Sequence, residues 1–236
     1  PRSTPLYSSA ASDVYKRQAS ECLHRRMSET NIMKTPTIIA SDLEGVLIPE
    51  IWIAVAEHTG IEELRLTTRD VADYDQLMQG RMHILRQQGL TLADIQQIIA
   101  TLEPLPGAEQ LLSWIRERSQ LIILSDTFYE FAMPLMARLG YPTIFCHSLE
   151  TDSSGMLTGY HMRQADSKRM AVEAFKALQF RVFAMGDSYN DTTMLASAEQ
   201  GVLVHPPDSI VALFPHFPAV YDYELLKEHI VAFLTQ

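Results

Sequence analysis

Apolar residues in this chain fall into two kinds of run that alternate. Some are short and unbroken, as in Ile38-Ile39-Ala40, Leu121-Ile122-Ile123-Leu124 and Val182-Phe183-Ala184-Met185; in others the apolar residues return every three or four positions. Unbroken runs of this length suit strands buried on both faces, and the periodic ones suit helices with a single apolar face. Strands are expected at 38–41, 121–125, 143–146, 181–185 and 202–204, and helices at 108–118, 129–139, 168–178, 192–197 and 225–234. A Gly-containing hairpin is expected around Ser153-Ser154-Gly155. This alternation predicts an α/β fold built on a doubly wound, mostly parallel sheet.

One interval breaks the alternation. From about Glu50 to Leu102 only helical spacing recurs, first through Ile51 and Val55, then Leu77, Met78, Met82 and Leu85, then Leu92, Ile95, Ile98 and Ile99 behind a probable N-cap at Thr91. More than fifty helical residues between two strands exceed a simple crossover. A helical cap subdomain, 50–102, is therefore expected within a core formed by 34–49 and 103–236, with Pro104-Leu105-Pro106-Gly107 marking the return. Residues 1–33 show no sustained period and contain Pro1, Pro5 and many serines, so they read as disordered or as a non-native leader, with a natural start at Met27 or Met33.

Composition narrows the function classes. With 236 residues, 47% of them apolar, the chain can bury a full core. No apolar run has membrane-spanning length, and Cys22 and Cys146 stand in no metal or redox spacing, which suits a reducing, cytoplasmic setting. The net charge is −10, and the basic excess within residues 1–37 makes the remainder more acidic still. Such a body repels nucleic acid and anionic membranes, so an anionic substrate would need specific cations in its pocket. Trp52, Trp114 and the apolar C-terminal helix suit core packing and an interface between copies equally, which leaves a homo-oligomer open.

The chemistry gathers where the strands end. The first run leads into Asp42-Leu43-Glu44-Gly45, the second into Ser125-Asp126-Thr127, and the fourth into Gly186-Asp187-Ser188-Tyr189-Asn190-Asp191. Any one of these could be a turn or a helix cap, but ligands of open α/β sheets bind at the carboxyl ends of the strands, and three such ends deliver acids, a hydroxyl and an amide to one edge. Carboxylates brought together there need a cation or a shared proton. Hard oxygen donors with no His or Cys cluster favour Mg²⁺ between Asp42 and Asp187. Asp42 is then the candidate nucleophile toward phosphorus and Glu44 the candidate proton carrier, while Ser125 and a lysine hold phosphoryl oxygens. Lys168, at the start of the helix before the fourth strand, is aimed at the strand ends; Lys176, two turns on, reads as surface charge. Asn190 and Asp191 suit either an orienting role or a helix cap.

This ordered set resembles the haloacid dehalogenase superfamily of phosphatases, from Thr37 to the C-terminus. That family has Asp-x-Asp in its first motif, whereas here Glu44 holds the second position. With Leu124-Ser125-Asp126-Thr127-Phe128-Tyr129-Glu130-Phe131 and Gly186-Asp187-Ser188-Tyr189-Asn190-Asp191-Thr192-Thr193-Met194-Leu195, the departure looks like that of the ThrH-type phosphoserine phosphatases. Those bacterial proteins also transfer phosphate from phosphoserine to homoserine, in serine and threonine biosynthesis. The resemblance implies that Asp42 is nucleophile and metal ligand, that Glu44 is acid/base and ligates through its carbonyl, and that Asp187 is a further ligand for Mg²⁺. It gives Ser125, Lys168 and Asn190 to phosphate, Glu50 to the substrate ammonium and Arg81 to its carboxylate. Asp126 stands where ordinary phosphoserine phosphatases have glycine, so its role is open. Two rival readings are a phosphatase of another small monoester and a receiver-like signalling module, although the helical insertion and the Gly186–Asp191 motif have no place in a receiver.

Overall fold

The computed structural model describes residues 35–67, 70–71 and 73–236, so the expectation for 1–33 lies outside the described residues. Strand β1 (Thr37–Ser41) is apolar on both faces and takes the centre of the sheet, parallel to β2 (Gln120–Phe128) on one side and to β5 (Arg181–Gly186) on the other. The parallel array continues to β3 (Thr143–Thr151) beyond β2, and to β6 (Gln200–Val204) and β7 (Ala219–Val220) beyond β5. β4 (Leu157–His161) closes one edge antiparallel to β3, giving the order β4-β3-β2-β1-β5-β6-β7. Strands that follow β1 in sequence build first to one side and then to the other. That reversal opens a crevice above the carboxyl ends of β1, β2 and β5.

The two-residue alternation of β1 feeds two apolar layers. Ile39 packs with Ile123, Phe183 and Met185 against α1 (Ile51–Thr59), α2 (Tyr74–Gln88), α3 (Leu92–Ala100), α4 (Ala108–Arg116), α5 (Tyr129–Met136) and α9 (Tyr223–Leu234). Ile38 and Ala40 face the other way, with Leu124 and Ala184, onto α6 (Ser167–Ala177), α7 (Thr192–Ser197) and α8 (Asp208–Leu213). Helices on both faces explain why the central strands are continuously apolar.

Helices α1–α3 lie between β1 and β2 in sequence, with a 3-10 turn at Glu62–Arg65 after α1. Helix α3 begins on a capping box in which Thr91 and Asp94 exchange bonds, a feature worth about 1 kcal/mol. Its first amide, Leu92 N–H, donates to Gly155 O at 2.9 Å in the β3–β4 hairpin, and Gln96 Nε2 donates to Glu130 O at 2.7 Å on α5. Tyr160 of β4 bonds Asp75 of α2. Several boundaries differ from the sequence pattern. β2 runs through Ser125, Asp126 and Thr127 instead of stopping at 125, with its pairing to β3 shifting register between Leu124 and Phe128, and β3 runs on to Thr151. Helix α8 and strand β7 are additional elements. Among the described residues, no helix is long and apolar enough to cross a membrane.

Candidate active site

The turn after β1 sets the first pair of acids. Gly45 adopts φ +73°, and its N–H donates to Ile48 O at 2.8 Å, which reverses the chain directly behind Glu44. A Cβ at this position would lie 2.5 Å from the Asp187 carboxylate, so glycine is what lets the β1 turn and the β5 end approach. Asp42 is buried, with Oδ1 accepting Leu43 N–H at 2.6 Å and Oδ2 lying 2.9 Å from Lys168 Nζ. Glu44 opens partly to the crevice, its Oε2 accepting Ile51 N–H at 2.8 Å at the start of α1.

The cation comes from α6. Lys168 is 2% exposed, and Nζ lies 2.7 Å from Asp191, 2.9 Å from Asp42 and 3.6 Å from Asp126. Burial opposes its charge, but these three carboxylates raise its affinity for the proton well above the ordinary lysine value, so it stays cationic. Asp191 holds Lys168 with Oδ1 and accepts the N–H groups of Asp187 and Ser188 at 3.0 Å with Oδ2. The capping and orienting readings of Asp191 are thus both realised. Lys176, expected as free surface charge, instead donates to Ser197 O at 2.6 Å and pins the end of α7.

All nine residues singled out in the sequence border one cavity of about 640 Å³. Its acids differ in their protonation. Burial, then the charges of Asp191 and Asp187, raise the Asp42 pKa well above the usual carboxylate value despite Lys168. Burial, then Glu50, push Glu44 up to about 7 against the bonds from Ile51 and Thr127. Asp187 is pushed up to about 7 by burial and then Asp191, and no ion pair reaches it among the described residues. Asp126 goes the other way: burial acts to raise it, but Lys168, His147 and Asn190 hold it below the usual carboxylate range. Oxygens of Asp42, Asp187 and Asp191 lie within 4.8 Å of one another, a hard-donor set that could hold a divalent cation. Both oxygens of Asp42 and both oxygens of Asp191 are engaged by donors of the chain, and Asp187 is the acid of the three that no ion pair reaches among the described residues.

Opposite these acids stands Arg81 on α2, 6% exposed and stacked 4.5 Å from the Trp52 ring. Nη2 donates to Leu66 O at 2.6 Å, while Nε has no partner and no carboxylate lies within ion-pair reach among the described residues. Glu50 is exposed at the same cavity, just before α1. Asn190 turns its amide to Asp126 Oδ2 at 2.8 Å. Sequence reasoning missed Tyr74, which begins α2 and borders the cavity, and His147, which sits behind Asp126. The N-cap Asp73 could have signalled the first; the polar tail of β3 hid the second.

Acids at three strand ends, with a buried lysine from α6 among them, suit a class to which the chain belongs: it is a haloacid dehalogenase-like hydrolase, matched by that family's model over residues 35–199. It is 59% identical over 190 residues to phosphoserine phosphatase ThrH of Pseudomonas aeruginosa, covering 80% of this chain and 93% of that one. A phosphoserine phosphatase of Pseudomonas syringae pv. tomato is 57% identical over 194 residues, covering 82% of each. In fold it is similar to the phosphoserine phosphatase of T. onnurineus solved with NDSB-201, with a TM-score of 0.64 at 21% identity over 86% of this chain and 98% of that one.

Proposed function

We propose that this chain is a Mg²⁺-dependent phosphoserine phosphatase that carries the phosphoryl group on Asp42, and that homoserine can receive that group in place of water. The observation that carries the substrate class is Arg81. A guanidinium this deeply buried, with an unpaired Nε and no counter-anion within ion-pair reach among the described residues, is costly unless an anion arrives, and its fork matches a carboxylate. Glu50 offers the complementary acid for an ammonium group. The activity named for the two Pseudomonas relatives agrees with this amino-acid end.

In the first step an Asp42 oxygen attacks phosphorus, the ester P–O bond breaks, and Glu44 gives its proton to the departing serine oxygen. Ser125 and Lys168 offset charge on the phosphoryl oxygens. In the second, Glu44 takes a proton from water, whose oxygen attacks phosphorus, releasing phosphate and regenerating the Asp42 carboxylate. Asp42, Asp187 and the Glu44 carbonyl would hold Mg²⁺, which would supply the charge neutralisation that lets two anions approach. Homoserine shares the amino-acid end and is longer than serine by one methylene, a difference worth only about 1–3 kcal/mol.

Phosphoserine incubated with the protein and Mg²⁺ is expected to yield phosphate, and added homoserine to divert part of it to phosphohomoserine; no turnover in either case refutes the substrate. Arg81→Ala separates recognition from chemistry. The KM for phosphoserine is expected to rise roughly 10–100-fold, with an aryl phosphate little affected. Equal losses on both substrates would remove Arg81 from amino-acid recognition.

A further inference from the structure

The carboxylate of Asp126 has no part in the two steps above, yet protein donors face both of its oxygens. Asn190 Nδ2 donates to Oδ2 at 2.8 Å, and Lys168 Nζ lies 3.6 Å from the same oxygen. Ser167 Oγ donates to Oδ1 at 3.4 Å, and His147 Nε2 lies 3.5 Å from it. His147 is buried, and its Nδ1 accepts Arg163 N–H at 3.1 Å, which leaves Nε2 facing Asp126. Four groups thus face one anion that belongs to the chain itself, Asn190 and Ser167 in hydrogen bonds and Lys168 and His147 just beyond them, with His147 Nε2 making no hydrogen bond among the described residues. Two of them, Lys168 and Asn190, are the donors that the phosphatase reading assigns to phosphate.

Asp126 is not needed to hold the lysine. Lys168 is closer to Asp191, at 2.7 Å, and to Asp42, at 2.9 Å, than to Asp126. What Asp126 adds is a fixed negative charge on the residue next to Ser125, inside the cavity where a phosphate must bind.

We propose that Asp126 sets the phosphate affinity of the site: its carboxylate competes for the donors of Lys168 and Asn190 and repels the incoming anion, so that free phosphate is held weakly and leaves readily. The inference rests on the phosphatase reading for the roles of Lys168 and Asn190. Like charges sharing donors cannot both be fully satisfied, and the covalently fixed one always occupies the site.

The test is direct binding of inorganic phosphate to the Mg²⁺-loaded protein by titration calorimetry, alongside phosphoserine turnover. Asp126→Asn keeps the size and an acceptor for Asn190 but removes the charge; Asp126→Ser removes both and serves if the first variant does not fold. The dissociation constant for phosphate is expected to fall at least about tenfold in the folded variants, with KM for phosphoserine falling too. A purely structural role would not tighten binding. An unchanged or raised constant overturns the proposal, and a raised one would make Asp126 a prop for Asn190. Tighter phosphate binding in the variants, with no phosphoserine turnover by the unaltered protein, would refute the substrate reading while supporting this one.

Discussion

Glu44 and Asp126 are two carboxylates on one cavity whose surroundings drive them in opposite directions. Glu44, pushed to about 7 by burial and Glu50, is poised near neutrality to give a proton and take it back. Asp126, bonded by Asn190 and Ser167 and beside Lys168, is held as an anion. Glu44→Gln retains the bond geometry but cannot exchange protons. Pre-steady-state kinetics are expected to show both phosphorylation and dephosphorylation slowed about 10²–10⁴-fold while Mg²⁺ binding is kept, and a defect in only one step would contradict a shared acid/base. At this scale the sequence makes Asp42, Glu44 and Asp187 legible, because acids at the ends of apolar strands have few bland explanations. Arg81 and Glu50 become legible only through resemblance, since their partners are distant in sequence. His147 is not legible: it meets Asp126 only because β2 and β3 both run past the point where their apolar residues end.

At the scale of elements, the turn at Gly45 joins the two halves of the acidic site. Gly45→Ala forces a side chain into φ +73° and against the Asp187 carboxylate. Thermal unfolding is expected to fall in midpoint, and Mg²⁺ affinity to drop with it; unaltered Mg²⁺ affinity would show that the close approach does not shape the metal position. The central strands could be read from the chain because both of their faces are buried. Polar residues 147–151 concealed the end of β3, which pairs with β4 at the sheet edge, where half-exposed side chains are tolerated. Helix α8 and strand β7, six and two residues long, are too short to display a period.

At the scale of the whole molecule, a chain of net charge −10 gathers Asp42, Asp126 and Asp191 around Lys168, with Asp187 beside Asp42 and Asp191. Asp42, Glu44 and Asp187 all bind protons more tightly when folded than at the value of about 4 expected unfolded. The folded state therefore holds more protons across about pH 4–7, and metal-free stability must fall as pH rises through that window. As the proposed ligand of Mg²⁺, Asp187 would have to be deprotonated, so the affinity is expected to rise with pH through about 7 and then level. The unfolding midpoint in chelator is expected to drop between pH 5 and 8, and the gain on adding Mg²⁺ to widen; a gain that shrinks with pH would contradict the assignment of these acids to the metal. The central claim, that phosphate passes through Asp42, is tested most directly by acid-quenching a reaction with phosphorus-labelled phosphoserine and Mg²⁺ and locating the label by peptide mapping. Label on the peptide carrying Asp42, absent from Asp42→Asn, is the predicted result, whereas phosphate release with no labelled peptide, or label retained in that variant, would contradict it.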